Sequence, residues 1–411
     1  EESRHDVDAP LLDRVQIEAL NPAVGTRAVR GEPLAAIDQN ELMLSLNERL
    51  SALRERSDEG RYLEAGGERL SPEQRALFAP LAEIPEFSPS LHLALDTIAL
   101  RCGPRQAGLY KADLDPAFDR NNCSSIRAQE PVELLSGWSN GMRLARTRYS
   151  LGWIAASAPL SPAVPAELRA SLVEGGEQVR TARALSLPVG EHGAQVELPA
   201  GTFLSVATSQ IGIPGSGLIV GSEQGVHRVS LSAVDIESVS GRELTRRAVL
   251  QEAFTHLGED YGWGGYRGAR DCSRLMLDIF ASFGIHLPRY SGNQAEAGSF
   301  TVDLSGVQSE RERLLLLDAA ARKGLVLLYM PGHIMLYLGR DAEGVPMALH
   351  SLAEYVVPCD GRGSDGVPAT SEQPAEAVVR VDRVTVSDLE LGRGSSRGAF
   401  LERLTRLVVI G

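Results

Sequence analysis

The stretch GWGGYRGARDCSRLMLDIF, residues 262–280, decides the fold of the C-terminal part of the chain. It begins as a glycine-rich loop and ends as an apolar helix, and Cys272 lies where one becomes the other. Asp271 is a natural N-cap for this helix. Unpaired N–H groups and the helix dipole at such a position favour a thiolate. Cys272 is therefore either a nucleophile or a small buried core residue, and these residues alone favour neither.

A nucleophilic cysteine needs a base, and two histidines further along the chain qualify. His333 begins an apolar strand after a Pro-Gly turn, and His350 lies within or at the end of the next strand. Their spacing across one turn can bring the two side chains together on paired antiparallel strands. His333 would then take the thiol proton, and His350 would hold its imidazole in the required tautomer. The alternative for each histidine is a structural side chain with its hydrogen bonds satisfied.

The region around these residues predicts an α+β domain over 241–411. Two helices flank the glycine-rich loop, and a further helix follows over 309–322. Apolar segments at 325–330, 333–339 and 346–352 then predict consecutive strands. Helices followed by strands in this order are typical of an α+β fold with an antiparallel sheet.

The preceding residues predict further domains, because 411 residues exceed what one hydrophobic core normally organises. Residues 1–110 predict an N-terminal arm and a mostly helical domain. Its helices are expected over 37–56, over 71–84 with Ser71 as N-cap, and over 90–100.

Short strands with close turns follow the helical region and predict two small β-barrels in tandem, over 111–165 and 166–240. Asn140-Gly141 is the strongest hairpin signal among these turns. The whole chain is therefore expected to be multidomain.

The composition excludes several classes of function. A net charge of −13 argues against nucleic acid or an anionic membrane as a partner. No apolar run approaches the length of a membrane span. The sequence lacks the cysteine and histidine spacings of zinc sites, so we expect no metal or other cofactor. Whether Cys102 pairs with Cys123 is left open, because spacing alone does not establish geometry.

A series of motifs occurs in a fixed order: YGWGG, then RDCSRLMLDIFASFGIHLPRYSGNQ, then PGHIMLYLG and a second histidine. Together they resemble the NlpC/p60 family of papain-like cysteine peptidases of bacterial cell walls, over about 243–355. The upstream segments DPAFDRNNCSSIRAQEPVELL and YSLGWIAAS are similar to the first barrel of a subgroup. That subgroup has an N-terminal helical region, two bacterial SH3-like barrels and then the papain-like catalytic domain.

The resemblance implies a peptidase acting on peptidoglycan stem peptides or muropeptides. Members of the subgroup cut between γ-D-glutamate and a diamino acid, either meso-diaminopimelate or lysine, and prefer a free N-terminal L-alanine. A periplasmic or extracellular monomer is the matching expectation. The chain starts with Glu1 rather than Met, as expected either of a removed signal peptide or lipoprotein leader or of a shortened sequence, and a lipid anchor is not visible.

The family's catalytic residues carry over onto four positions of this chain. The resemblance implies that Cys272 is the nucleophile, His333 the base and His350 the residue that orients it. Tyr261 would help to bind the oxyanion.

The resemblance also implies a substrate-binding set. Asp271 and Ser273 would hold the α-ammonium group of the substrate. Tyr149 of the first barrel would close the far end of the pocket. Trp263 lies beside the glycine-rich loop, so it either lines the cleft or caps the core. Arg274 stands where the family has glycine, and it would either pair with a substrate carboxylate or point outward.

Two other functions stay open at this stage. The barrels could anchor the chain to peptidoglycan while the C-terminal domain is catalytically inert. A papain-like domain could also serve as an amidase or acyltransferase on a substrate outside the cell wall.

Overall fold

The computed structural model describes the chain in seven segments, which are residues 7–24, 38–137, 139–173, 177–190, 193–207, 217–359 and 376–411. These residues divide into two units. The N-terminal unit takes in described residues of Gly25–Arg242 together with Gly262–Gly268. The C-terminal unit takes in those of Glu1–Val24, with Glu243–Tyr261 and Ala269–Gly411. None of the helices described is long and apolar enough to cross a membrane.

The first described segment belongs to the C-terminal unit. It forms strand β1 (Pro10–Leu12) and helix α1 (Arg14–Val24), although the sequence predicts an arm here. Strand β1 pairs antiparallel with Leu244–Thr245, and Ile17 is buried in the core of that unit. The expected arm is therefore partly helical, and the part over residues 25–37 lies outside the described residues.

Two predicted helices of the N-terminal unit are confirmed. Helix α2 (Gln39–Asp58) begins after Asp38, whose side chain accepts a hydrogen bond from the Asn40 N–H. Its leucine stripe is buried, as the spacing predicts, at Leu42, Leu46, Leu50 and Leu53. Helix α3 (Pro72–Ala76) begins, as predicted, at a capping box formed by Ser71 and Gln74, but it ends at Ala76, so the predicted extent to residue 84 is wrong.

The next six strands form one antiparallel sheet. They are β2 (Ser90–Leu93), β3 (Ile98–Arg101), β4 (Asn122–Ile126), β5 (Pro131–Leu134), β6 (Met142–Arg146) and β7 (Leu151–Ala155). Their order in the sheet is β2-β5-β6-β7-β3-β4. The helix predicted over 90–100 is wrong, because its apolar residues are buried at alternate positions, which is the period of a strand.

Two local features of this sheet bear on the sequence predictions. Asn140 and Gly141 both have positive φ, 52° and 69°, at the predicted hairpin turn before β6. Cys102 and Cys123 form a disulfide, which resolves the pairing that their spacing leaves open. The disulfide joins the end of β3 to β4.

A second strand-rich region follows helix α4 (Ala166–Val173). Its strands are β8 (Gln178–Thr181), β9 (Leu185–Val189), β10 (Ala194–Leu198), β11 (Phe203–Ser205), β12 (Leu218–Ser222), β13 (Gly225–Val229) and β14 (Ile236–Ser238). They form the sheet β11-β8-β14 and the hairpins β9–β10 and β12–β13, around a shared core. That both strand-rich regions are SH3-like, with boundaries after 110, 165 and 240, stays a prediction.

The C-terminal unit holds the remaining elements. Its helices are α5 (Arg246–Thr255), α6 (Cys272–Ala281), α7 (Ser291–Gln294), α8 (Glu310–Ala321) and α9 (Phe400–Arg403). Its strands are β15 (Leu244–Thr245), β16 (Phe300–Asp303), β17 (Leu325–Met330), β18 (His333–Arg340), β19 (Pro346–Pro358), β20 (Glu376–Asp388) and β21 (Arg406–Ile410). Six strands form an antiparallel sheet in the order β16-β21-β17-β18-β19-β20, which confirms the predicted C-terminal sheet. Strand β16, which lies before α8, was not predicted.

Both faces of this sheet are covered at its centre, so strand β17 is apolar on both sides. Leu325 and Leu327 share one core with residues of α6, whereas Val326 and Leu328 share another with α9. This arrangement fixes α6 against the sheet.

Candidate active site

Cys272 is the first residue of helix α6, where the sequence predicts it. Asp271 caps the helix, because its Oδ1 accepts a hydrogen bond of 2.8 Å from the Arg274 N–H. The Cys272 side chain is buried in one core with Ile334, and the backbone N–H groups of Ile334 and Ser273 oppose the rise in its pKa by favouring the thiolate. Since Ile334 follows His333 directly, the thiol lies against the start of strand β18.

The two candidate histidines meet on neighbouring strands. Strands β18 and β19 pair antiparallel, and His333 Nε2 lies 2.8 Å from His350 Nδ1. Both rings pack edge-on against Phe400, at centroid distances of 6.0 and 5.9 Å. The spacing argument therefore places the imidazoles correctly. Within the described ranges, His, Cys, Asp and Glu side chains do not gather in any group of three or more that could hold a metal ion.

Burial keeps the thiol and both imidazoles neutral in the resting protein. Burial, together with the neighbouring charge of Asp271, raises the pKa of Cys272 to about 12. Burial also lowers the pKa of His333 to about 4, with a smaller effect from Arg403. The pKa of His350 falls well below its ordinary value, because of burial and of His333. The resting site therefore holds a thiol and two neutral imidazoles rather than a thiolate and an imidazolium.

Asp271 has a buried partner that the sequence interpretation did not identify. Arg289 Nη1 and Nη2 donate to Oδ1 and Oδ2 of Asp271 at 3.0 and 2.7 Å, and Nη1 also donates to Ser273 Oγ at 2.9 Å. Burial opposes ionisation, but the charge of Arg289 outweighs it and keeps the pKa of Asp271 below its ordinary value. The predicted ammonium site therefore uses a carboxylate whose charge Arg289 already balances.

Arg274 follows neither of the two alternatives for its side chain. It is 1% exposed, and its Nε donates to Asp278 Oδ1 one turn along α6, at 2.7 Å. Arg270 Nε donates to the other oxygen of Asp278 at 2.7 Å and also contacts the carboxylate of Glu259. Asp278 thus joins helix α6 to the loop that precedes it, and Arg274 is a structural residue.

We expect Asp278→Ala to destabilise the C-terminal unit strongly, because it leaves Arg274 buried without its carboxylate. The free energy of unfolding should fall by about 3–5 kcal/mol. The free energy of unfolding is measured by hydrogen exchange of peptides from α6 at increasing urea concentration. Asp318→Ala is the matched control, since it breaks the partly exposed pair with Arg340 and should cost about 1 kcal/mol or less. Equal effects of the two substitutions would contradict the structural role of Asp278.

The glycine-rich loop packs against strand β4 within the N-terminal unit. Gly264 and Gly265 have φ of +60° and +82°. A Cβ there would stand 2.4 Å from the Asn122 carbonyl oxygen and 2.1 Å from Ser125 Oγ. Both positions therefore require glycine, because the loop backbone lies so close to β4. This contact explains the two glycines, and no substrate needs to be invoked.

The two aromatic residues beside the loop differ in their surroundings. Trp263 stacks at a tilt on Phe118, with a centroid distance of 5.8 Å, and the Arg120 guanidinium lies 4.1 Å from its ring centroid. Tyr261 is half-buried in the C-terminal unit, and its N–H donates to the Asp382 carbonyl at 2.9 Å. A substrate role for Trp263 and an oxyanion role for Tyr261 both stay predictions.

Tyr149 lies in the N-terminal unit and is buried. Its hydroxyl donates to the Ser125 carbonyl at 2.9 Å and contacts the carboxylate of Glu130. Tyr149 and Glu130 line a cavity with an empty volume of about 800 Å³, open solvent included. That Tyr149 contacts the substrate stays a prediction.

The fold and these residues define a class of protein. A cysteine at a helix N-terminus, packed on an antiparallel sheet that carries two hydrogen-bonded histidines, is the arrangement of a papain-like domain. Residues 258–359 match the model of the NlpC/P60 family. The chain thus carries an NlpC/P60 domain in its C-terminal part.

Several similar proteins are named as peptidases. The peptidoglycan endopeptidase RipA of Mycolicibacterium smegmatis is 31% identical in an alignment 121 residues long, which covers 25% of this chain and 21% of RipA. The γ-D-glutamyl-L-lysine dipeptidyl-peptidase of Bacillus subtilis is 32% identical in an alignment 120 residues long, which covers 26% of this chain and 40% of that protein. The chain therefore spans well under half the length of these relatives.

A solved structure shares the fold over nearly the whole chain. It is that of an NlpC/P60 endopeptidase from Photobacterium damselae subsp. piscicida, with a TM-score of 0.72 and 16% identity. The match covers 99% of this chain and 95% of the other. At this identity it shows the fold alone.

Proposed function

We propose that this protein is a cysteine endopeptidase that hydrolyses the bond between γ-D-glutamate and a diamino acid in peptidoglycan stem peptides. The observation that carries the proposal is the thiol of Cys272 at the start of α6, beside a strand whose His333 is hydrogen-bonded to His350. The diamino acid is meso-diaminopimelate or lysine, and the preferred substrate has a free N-terminal L-alanine.

In the proposed acylation step, His333 removes the proton from Cys272, and the sulfur attacks the γ-carbonyl carbon of D-glutamate. The electron pair of the carbonyl moves onto its oxygen, where a backbone N–H and Tyr261 would stabilise the oxyanion. The tetrahedral intermediate then collapses, and the carbon–nitrogen bond breaks. The imidazolium of His333 returns its proton to the leaving amine of the diamino acid.

The proposed deacylation step uses the same groups in reverse. A water molecule loses its proton to His333 and attacks the thioester carbon. The carbon–sulfur bond breaks, and the imidazolium of His333 returns its proton to the sulfur, which regenerates the Cys272 thiol. The dipeptide L-Ala-γ-D-Glu leaves as a carboxylic acid that ionises in solution. His350 holds His333 in position through both steps.

The substrate preference is proposed to come from residues around the nucleophile. Asp271 and Ser273 would take the α-ammonium of L-alanine, and Trp263 and Tyr149 are further proposed contacts. Since Arg289 already balances the charge of Asp271, an ammonium group would share this carboxylate with Arg289. The proposed location is the periplasm or the cell exterior, where such peptides occur.

Two peptides test the proposal. We expect the protein to release L-Ala-γ-D-Glu and meso-diaminopimelate from L-Ala-γ-D-Glu-meso-diaminopimelate, as read by mass spectrometry. N-acetylation of the alanine removes the cation, so kcat/KM should fall at least about tenfold, which is the loss of one charge-assisted hydrogen bond. The peptide with L-lysine in place of meso-diaminopimelate identifies the diamino acid.

The outcomes separate the parts of the proposal. Equal cleavage of free and acetylated peptides would remove the ammonium site and keep the peptidase. Cleavage at the bond between L-alanine and D-glutamate would contradict the proposed specificity. No cleavage by folded protein, with peptidoglycan binding intact, would favour a binding module instead.

A further inference from the structure

A chain of hydrogen bonds continues behind His350 and ends in the next strand. His350 Nε2 lies 3.1 Å from the hydroxyl oxygen of Ser387 on β20. The Ser387 hydroxyl in turn donates to the carbonyl oxygen of Asp388 at 2.9 Å. With the contact of 2.8 Å between the two imidazoles, these bonds connect His333 to a backbone carbonyl through His350 and Ser387.

The register of the sheet brings Ser387 to this place. Strands β19 and β20 pair antiparallel with His350 opposite Thr385, so Ser387 stands two residues further along the same face. Side chains at such diagonal positions are within reach of each other. His350 is fully buried, so its second ring nitrogen has to find a protein partner.

A carbonyl oxygen only accepts hydrogen bonds, and this favours one direction for the whole chain of hydrogen bonds. The single hydroxyl proton of Ser387 is used by Asp388, so Ser387 Oγ accepts from His350 and Nε2 of His350 carries a proton. A neutral imidazole carries one proton, so Nδ1 of His350 accepts from Nε2 of His333. His333 then keeps an unprotonated Nδ1, which is the nitrogen that a base needs.

The opposite direction would disable the site. If Ser387 donated to His350 Nε2, then Nδ1 of His350 would carry the proton and donate to Nε2 of His333. Neutral His333 would then be protonated at Nδ1 and could not take a proton from a thiol there. The Asp388 carbonyl favours the first direction, in which His333 donates to His350 and His350 donates to Ser387.

We propose that Ser387 is a positioning residue that selects the tautomers of His350 and His333, so that His333 presents a proton-accepting Nδ1. This inference rests on the proposed function and extends it by one residue. Ser387 acts through His350 and does not itself touch the reacting atoms. Both imidazoles are neutral, and the group that contacts His350 Nε2 is the Ser387 hydroxyl rather than a carboxylate.

The test reads the tautomer directly. In the full chain labelled with ¹⁵N-histidine, long-range proton–nitrogen correlation spectra distinguish protonated from unprotonated ring nitrogens, and His350→Gln assigns the His350 signals. We expect the wild type to show His350 protonated at Nε2, and Ser387→Ala to populate the Nδ1-protonated form. Ser387→Thr keeps the hydroxyl and should restore the wild-type pattern.

Kinetics with the stem peptide give the second readout. Ser387→Ala should lower kcat about tenfold with KM unchanged, as is usual when a group that orients an imidazole is lost. Ser387→Thr should recover most of this loss. Thr385→Val is the matched control, since it removes a neighbouring hydroxyl of β20 outside the hydrogen-bond chain, and it should leave kcat unchanged.

Two results would overturn the inference. One is a wild-type His350 protonated at Nδ1, and the other is a Ser387→Ala variant with unchanged tautomer and unchanged kcat. The spectra need no substrate, so a wild type that shows the predicted tautomer but cleaves no peptide would contradict the proposed function and leave the role of Ser387 standing.

Discussion

Cys272→Ala is expected to lower kcat/KM for the stem peptide by about 10⁴-fold or more. The reason is that the proposed reaction passes through a thioester on this sulfur, and the remaining residues supply only binding and oxyanion stabilisation. Alanine removes the nucleophile at a small cost in packing, because the side chain loses a single buried sulfur. The rate is measured by mass spectrometry of released L-Ala-γ-D-Glu.

The chain offers a matched control for this substitution. Cys359 is the other free cysteine among the described residues, so Cys359→Ala removes a thiol without touching α6. It should leave kcat/KM within about twofold of the wild type, the range expected of a group outside the proposed reaction. A Cys272→Ala variant that retains more than a tenth of the activity would rule out Cys272 as nucleophile.

His333→Gln should have the second-largest effect, a fall in kcat of about 10²–10⁴-fold. Glutamine retains an amide N–H that can donate to His350, but it cannot take a proton from sulfur. His92→Gln is the matched control, because His92 is also largely buried but lies in the N-terminal unit, bonded to Ser161. That variant should keep wild-type activity.

The pH dependence of this pair gives the prediction a second readout. In the wild type, Cys272 has a pKa of about 12 and His333 a pKa of about 4, so both groups are neutral at pH values between these two. We therefore expect kcat/KM to be nearly flat across neutral pH. Without the base, the rate has to follow the fraction of Cys272 that is thiolate, so kcat/KM of His333→Gln should rise about tenfold per pH unit. Parallel profiles of the two proteins would contradict the assignment of His333 as base.

The parts of the site that the sequence could predict are those set by local chemistry. Asp271 before an apolar helical stripe defines a helix start, and this places Cys272 at the first turn. His333 and His350 were predictable because two apolar strands around one turn can pair in few ways. Each of these steps needs only neighbours along the chain and the geometry of one hairpin.

The parts that escaped prediction depend on tertiary contacts. An arginine is usually exposed, so nothing local indicated that Arg274 and Arg289 are each 1% exposed and paired with Asp278 and Asp271. Ser387 reaches His350 only through the pairing of β19 with β20.

Tertiary contacts that the sequence does not reveal also occur before the NlpC/P60 domain. Whether Cys102 meets Cys123 depends on how β3 and β4 pair, and spacing does not give this. In contrast, the error over 90–100 was avoidable, because Leu91 and Leu93 alternate with polar residues.

The measurement that tests the central claim most directly is a rapid-quench experiment with an aryl ester of L-Ala-γ-D-Glu. An activated leaving group makes acylation fast, so a thioester should accumulate before water releases the dipeptide. We predict a transient mass increase equal to one L-Ala-γ-D-Glu acyl group on the peptide that contains Cys272, decaying at the rate of turnover. Dipeptide release without this adduct, or a competent adduct on Cys359, would contradict the account.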